Sequence, residues 1–174
     1  EKPIHTFILN GAECEPFLTA DHRVMLEQSE RIVTGMQIAM KVLGVSKGYI
    51  GIEENKPDAI AALTTACNEV DGLEVVALQT KYPQGAEKTL ISVICGTDVP
   101  SGGLPMDVGV VVQNVGTVVA IADAVEKGIP LIERVTTVTG GSVAEPQNML
   151  FRIGTTFAQA VELCGGFVQK PVKV

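Results

Sequence analysis

The sequence predicts an α/β domain, a mostly parallel sheet covered by helices on both faces, followed by part of a smaller β-rich module. Three observations carry that expectation. Apolar residues make up 46% of the 174 positions while aromatic residues supply only 4%. The core is therefore built of Val, Ile, Leu and Ala, as in strands buried on both faces. From residue 4 to about residue 130, short apolar runs alternate with stretches of helical period, the order that calls for parallel strands joined by crossover helices. Past Ile129-Pro130 the alternation stops and β-formers dominate. The first part thus reads as a Rossmann-like sheet over residues 1–130 and the second as a separate module over 131–174. No G-x-G-x-x-G follows any of the strands, which counts against an ordinary dinucleotide-binding dehydrogenase.

The first strand is the apolar run Ile4 to Leu9. It opens into Asn10-Gly11-Ala12-Glu13-Cys14-Glu15-Pro16 before any helix begins, a loop at the carboxyl end of a strand, where open α/β sheets place their ligands. Glu13 and Glu15 lie two apart, so an extended segment projects both to one side. They equally suit the dipole of the helix that follows. That helix is expected from Asp21 to Leu43 on the spacing of Val24, Met25, Ile32, Met36, Met40 and Leu43. Gly35 is the position at which it should weaken or divide, and Gly44 ends it. His22, in the first turn, has no second metal ligand nearby and reads as a solvated or capping residue. Gly48–Glu53 is the next strand, Pro57 starts a helix over Asp58–Glu69, and Leu73–Gln79 is the third strand.

Thr80-Lys81-Tyr82-Pro83-Gln84-Gly85-Ala86-Glu87 again joins a strand end to a helix start, over Lys88–Ile94. Gly85 allows close approach to the backbone, and the helix N-terminus favours anions; Glu87 there also serves the dipole. A loop rich in Pro and Gly, Gly96–Asp107, leads to a buried strand at Val108–Val112. Asn114-Val115-Gly116-Thr117 then opens a helix to Lys127, closed by Gly128. Asn114 is a natural N-cap. Leu131–Val138 and Asn148–Ile153 read as strands and Thr156–Leu163 as a helix, the start of a β-grasp arrangement.

Several classes are excluded. A net charge of −7 with no Lys/Arg run argues against a nucleic-acid partner. The longest uncharged apolar stretch, 108–122, is interrupted by Gly109, Gln113, Asn114 and Gly116 and falls short of the roughly 20 residues a membrane span needs. The four cysteines, Cys14, Cys67, Cys95 and Cys164, form no C-x-x-C pair, so no locally built iron–sulfur or other metal site is expected. They read as reduced thiols of a cytoplasmic protein.

Four motifs carry a family resemblance in order: Asn10–Pro16 with Thr19-Ala20-Asp21-His22-Arg23, Thr80–Lys88, Val99-Pro100-Ser101-Gly102-Gly103-Leu104-Pro105, and Val111–Thr117. Together they resemble the C subunit of Rnf-type electron transport complexes and, more distantly, the NADH-binding flavoprotein subunit of respiratory complex I. The chain departs from complex I at Ala12 and Ala86, where that flavoprotein carries acidic residues, and 96–107 holds no aromatic residue to stack on adenine.

The resemblance implies an FMN/NADH-binding domain over 1–130 and an incomplete soluble-ligand-binding β-grasp module over 131–174. It implies that Asn10, Glu13, Gly85, Asn114 and Thr117 contact FMN, and that Glu15, Tyr82 and Glu87 face NADH. No general acid or base is implied. The implied activity passes electrons from NADH through FMN to four-iron four-sulfur clusters outside residues 1–174. The implied setting is a complex on the cytoplasmic side of a membrane, with ferredoxin and other subunits as partners. A cobalamin reductase of the same family and a non-catalytic scaffold are the alternative readings. The family's glycine-rich loop would precede Asn10, and residues 1–9 hold no glycine. The chain alone is therefore expected to bind flavin weakly and to be inactive.

Overall fold

The computed structural model describes residues 2–173. Its centre is a four-stranded parallel sheet of β1 (Thr6–Asn10), β2 (Gly48–Glu53), β3 (Leu73–Leu78) and β4 (Val110–Asn114), in the order β3-β2-β1-β4. Alternation along the strands feeds two cores. Phe7, Leu9, Ile50 and Ile52 pack into one cluster with the helices α1 (Ala20–Glu27), α2 (Ser29–Leu43), α3 (Pro57–Cys67) and α5 (Val115–Lys127). Ile8, Leu78 and Val110 face the other way, against Leu90 and Ile91 of α4 (Glu87–Cys95). Helices thus cover both faces.

The strand order follows from the crossovers. The segments after β1 and β2 step outward along one face, whereas the connection carrying α4 crosses the other face and returns the chain to β1's free edge. Between β1 and β4 the direction of winding reverses, leaving a crevice at their carboxyl ends. Asn10 and Asn114 are register partners there.

The expected helix over 21–43 is two helices, and the break falls at Gln28 rather than Gly35. Gln28 leaves the helical region with φ −134° and ψ 30°. Gly35 stays helical because α2 and α5 touch at it: a Cβ there would lie 1.9 Å from the carbonyl oxygen of Val118. Gly44 and Gly128 end α2 and α5 in the left-handed conformation as expected. A short 3-10 turn, Pro105–Val108, precedes β4. The strand expected at 108–112 therefore begins and ends two residues later.

Beyond α5, β5 (Glu133–Val138) and β6 (Gln147–Arg152) form an antiparallel hairpin, and α6 (Phe157–Leu163) follows. α6 begins with a reciprocal cap between Thr156 and Gln159, which satisfies helix-end groups at both residues. The hairpin is docked on the sheet domain. Thr19 N–H donates to Thr137 Oγ1 at 3.1 Å, and Asn148 Nδ2 donates to Thr19 Oγ1 at 2.9 Å. No helix among the described residues is long and apolar enough to cross a membrane.

Candidate functional site

At the end of β1 the chain leaves the sheet through a tightly bonded loop. Asn10 spans it, with Nδ2 donating to the Gly85 carbonyl at 2.8 Å and Oδ1 accepting from Ala12 N–H at 3.2 Å. Beneath the loop lies a buried ion pair. Lys56 Nζ donates to the Ala12 carbonyl at 2.8 Å and meets Glu53 Oε2 at 3.2 Å, while Glu53 Oε1 accepts from Lys81 N–H at 3.2 Å. One buried cation and one buried anion therefore tie the loops after β1 and β3 together. Such a pair is tolerable only because each partner has further hydrogen bonds.

Glu13 and Glu15 do not project together. Glu13 has φ +42°, which ends the extended run, and its carboxylate turns back to α1. It accepts from the N–H groups of Asp21 at 2.8 Å and His22 at 3.0 Å. It thereby caps the helix end that Thr19, making no side-chain cap bond, leaves open. Burial raises the Glu13 carboxyl above its usual value, against the pull of those two N–H groups, and nearby Asp21 adds to the rise. Asp21 is raised by burial too, opposed by the amide of Asn114 and by Arg134. Glu15 instead is exposed and accepts from the Tyr82 hydroxyl at 3.2 Å. That bond raises the phenol above its usual value.

Asn114 caps α5, its Oδ1 accepting from Gly116 N–H at 2.9 Å, while its Nδ2 donates to Asp21 at 2.7 Å. Arg134 reaches the same place from β5, donating to Asn114 Oδ1 at 2.9 Å and Thr117 Oγ1 at 3.4 Å. It lies over Gly116, where a Cβ would sit 3.1 Å from the guanidinium carbon.

These groups frame a cleft of about 390 Å³ lined by Asn10, Glu13, Glu15, Gly85 and Asn114, with Val135–Thr137 of the hairpin as its far wall. A second cleft of about 340 Å³ lies beyond the Glu13-Cys14-Glu15 ridge and is lined by Phe17, Lys81 and Tyr82. Thr117 sits in the first turn of α5 beside Arg134 and lines neither cleft. Glu87 is the exposed first residue of α4, two positions past Gly85, and lines neither cleft.

Sequence reasoning missed Asp21, Lys56, Arg134 and Thr136–Thr137. Asp21 was visible only as a helix-start residue, and a lone Arg in a β-rich run gives no signal. His22 pairs with Asp58 at 2.8 Å. No cluster of three metal-ligating side chains occurs among the described residues.

A parallel sheet with a cleft at its winding reversal, lined by the residue that caps a helix N-terminus, defines a nucleotide- or flavin-binding α/β protein. Within that class the chain belongs to the Nuo51 FMN-binding domain family, whose model matches residues 1–123; an SLBB domain model matches residues 135–173. It is 62% identical over all 174 residues to the C subunit of the proton-translocating ferredoxin:NAD(+) oxidoreductase complex of Clostridium ljungdahlii, covering 38% of that protein. It is 52% identical to the C subunit of the Na(+)-translocating counterpart of Acetobacterium woodii, again over the whole chain and 39% of the relative. The chain thus spans well under half the length of these relatives. Among solved structures, NAD+-reducing [NiFe]-hydrogenase in the air-oxidized state superposes with a TM-score of 0.76 at 25% identity, over 93% of this chain and 32% of the other.

Proposed function

We propose that this chain is the FMN- and NADH-binding part of the C subunit of an ion-translocating ferredoxin:NAD oxidoreductase. The observation that carries the reading is the cleft at the β1/β4 reversal, where register partners Asn10 and Asn114 stand side by side. The residues present fit FMN. The cleft, at about 390 Å³, is within the size of cofactor sites. The α5 N-terminus and Arg134 adjoin the cleft through Asn114 and bring a helix dipole and a cation suited to a phosphate. Asn10, Gly85 and Asn114 hold the flavin in this reading, with Thr117 behind Asn114 in the first turn of α5. Glu13 shapes the site by fixing α1.

When bound, the flavin supplies two-electron oxidation of a nicotinamide and one-electron release to clusters elsewhere in the complex. The chain's own residues orient the rings. Glu15, held by Tyr82, and Glu87 give the nicotinamide side its negative charge. Residues 1–130 form the flavin domain and 131–174 a β-grasp module, on the cytoplasmic side of the membrane, with ferredoxin and further subunits as partners. The test is the full-length protein: it should purify with stoichiometric FMN and reduce ferricyanide with NADH. A colourless, inactive protein with loaded clusters would overturn the reading in favour of a scaffold.

A further inference from the structure

Two successive carbonyls, those of Ala12 and Glu13, turn toward one buried ammonium. Lys56 Nζ donates to the first at 2.8 Å and reaches the second at 3.5 Å, with Glu53 Oε2 and Asn55 Oδ1 each at 3.2 Å beside it. Successive peptides face one way only where the chain leaves the extended form, and Glu13 does so with φ +42°. A left-handed backbone is uncommon for a residue with a Cβ and persists only where the surroundings over-determine it. The peptides on both sides of Glu13 are trans, so each N–H points away from its own carbonyl. The N–H groups of Glu13 and Cys14 therefore face away from Lys56. Neither has an acceptor among the described residues. Their side chains are committed elsewhere, the Glu13 carboxylate to α1 and the Cys14 thiol to Gly85 N–H at 3.4 Å. Lys56 and Glu53 line the second cleft and not the first, while Glu13 and Cys14 line both. The side away from the ammonium is thus the flavin cleft.

We propose that Lys56 is a positioning residue for the flavin. By holding the carbonyls of Ala12 and Glu13 it presents the N–H groups of Glu13 and Cys14 to the flavin cleft as a fixed pair of donors. This rests on the FMN reading of that cleft. A hydride leaving a nicotinamide takes both bonding electrons with it, so the nicotinamide ring becomes positive by one charge and the flavin negative by one. Donors already aimed where charge develops stabilise it without having to reorganise. The ammonium also polarises both peptides, which strengthens their N–H groups as donors. Glu53, 2% exposed, keeps the ammonium in place and is itself held by Lys81 N–H at 3.2 Å. Lys56 and Glu53 together are a neutral unit, so they act on the cleft through the two peptides rather than through net charge. A buried ion pair is a poor device for stability alone.

The decisive variant of the full-length protein combines Glu53→Gln with Lys56→Met, because Lys56→Met alone leaves a buried carboxylate unpaired. Oxidised FMN should keep its affinity within about twofold, while reduced FMN loses about tenfold, equivalent to a midpoint potential lower by about 30 mV for a two-electron couple. Amide exchange in the wild-type protein reads the donors without any substitution. Glu13 and Cys14 should exchange slowly with FMN bound and fast once it is stripped. Asp21 and His22, bonded to the Glu13 carboxylate, should stay slow in both states. An unchanged ratio of oxidised to reduced affinity in the double variant overturns the inference, while wild-type NADH oxidation leaves the flavin reading standing. Equal loss of both forms overturns it too, since the pair would then only brace the loop. If the double variant does not fold, exchange decides: rates at Glu13 and Cys14 that ignore FMN overturn the inference. A wild-type protein that purifies without FMN and oxidises no NADH defeats both readings.

Discussion

Asp21 is held between opposing neighbours: it accepts from Asn114, lies within the field of Arg134 and Lys56, and sits beside the Glu13 carboxylate that caps its own helix. Burial outweighs the favourable partners, so Asp21 and Glu13 both bind protons more tightly in the folded chain than in the unfolded one. The sign follows from linkage: such groups stabilise fully below their unfolded values of 3.8 and 4.5, and that stability is lost as pH rises through the raised folded values. Asp21→Asn removes one of the two titrations. Its stability relative to wild type should therefore improve between pH 4 and pH 7, read from urea midpoints; a variant that falls further behind at pH 7 would mean the attraction of Arg134 and Lys56 wins. The importance of this neighbourhood was only half legible beforehand. The Asn-Gly-Ala-Glu-Cys-Glu-Pro string marked the loop, but two-residue parity presumes an extended chain, and the φ of +42° at Glu13 sends the two carboxylates to different partners.

At the level of elements, the period of apolar residues located the helices, and Gly/Pro punctuation set most of their ends. The division of α1 from α2 was not readable, because a glycine in a helix looks the same whether it breaks the helix or lets another helix approach. Here it does the second. Arg31 of α2 bonds Asp123 and Glu126 of α5, so the two helices are clamped beside the Gly35 contact. Gly35→Ala gains about 1 kcal/mol of helix propensity. It also puts a methyl 1.9 Å from the Val118 carbonyl, and backbone cannot yield as a flexible side chain can. Overpacking of this kind costs about 1–3 kcal/mol or more. The expected outcome is a lower urea midpoint with an unchanged far-ultraviolet spectrum. A midpoint at or above wild type would show that α2 and α5 separate without cost.

For the whole molecule, the strand–helix alternation was enough to foresee a parallel sheet, and the change to β-formers past Ile129-Pro130 was enough to foresee a smaller β-rich part after it. What neither could show is that the hairpin closes the cleft. Its docking combines Val135, packed against the larger core, with single polar side chains far apart in sequence: Thr19 with Thr137 and Asn148, and Arg134 with Asn114 and Thr117. Arg134 has the larger part in this docking, since its guanidinium bonds both the cap and the first turn of α5 from a half-buried position. Arg134→Ala removes those bonds and the cover over Gly116. The loss should be about 1.5–2 kcal/mol, the lower part of the range for bonds to charged groups because water reaches the site. Amide exchange in β5 and β6 should then quicken more than exchange in β1 and β2, because the hairpin loses an anchor while the sheet keeps both its cores. In the full-length protein the same change should release FMN during purification, since Asn114, which lines the cleft, loses the cation behind it and the far wall loses its position. Arg134→Lys retains the charge without the planar fork, and it should recover flavin retention in part while leaving hairpin exchange fast. If hairpin exchange in Arg134→Ala matches wild type, the Val135 packing and the Thr19–Thr137–Asn148 bonds hold the module without it, and Arg134 acts beside the cleft without serving as its clasp.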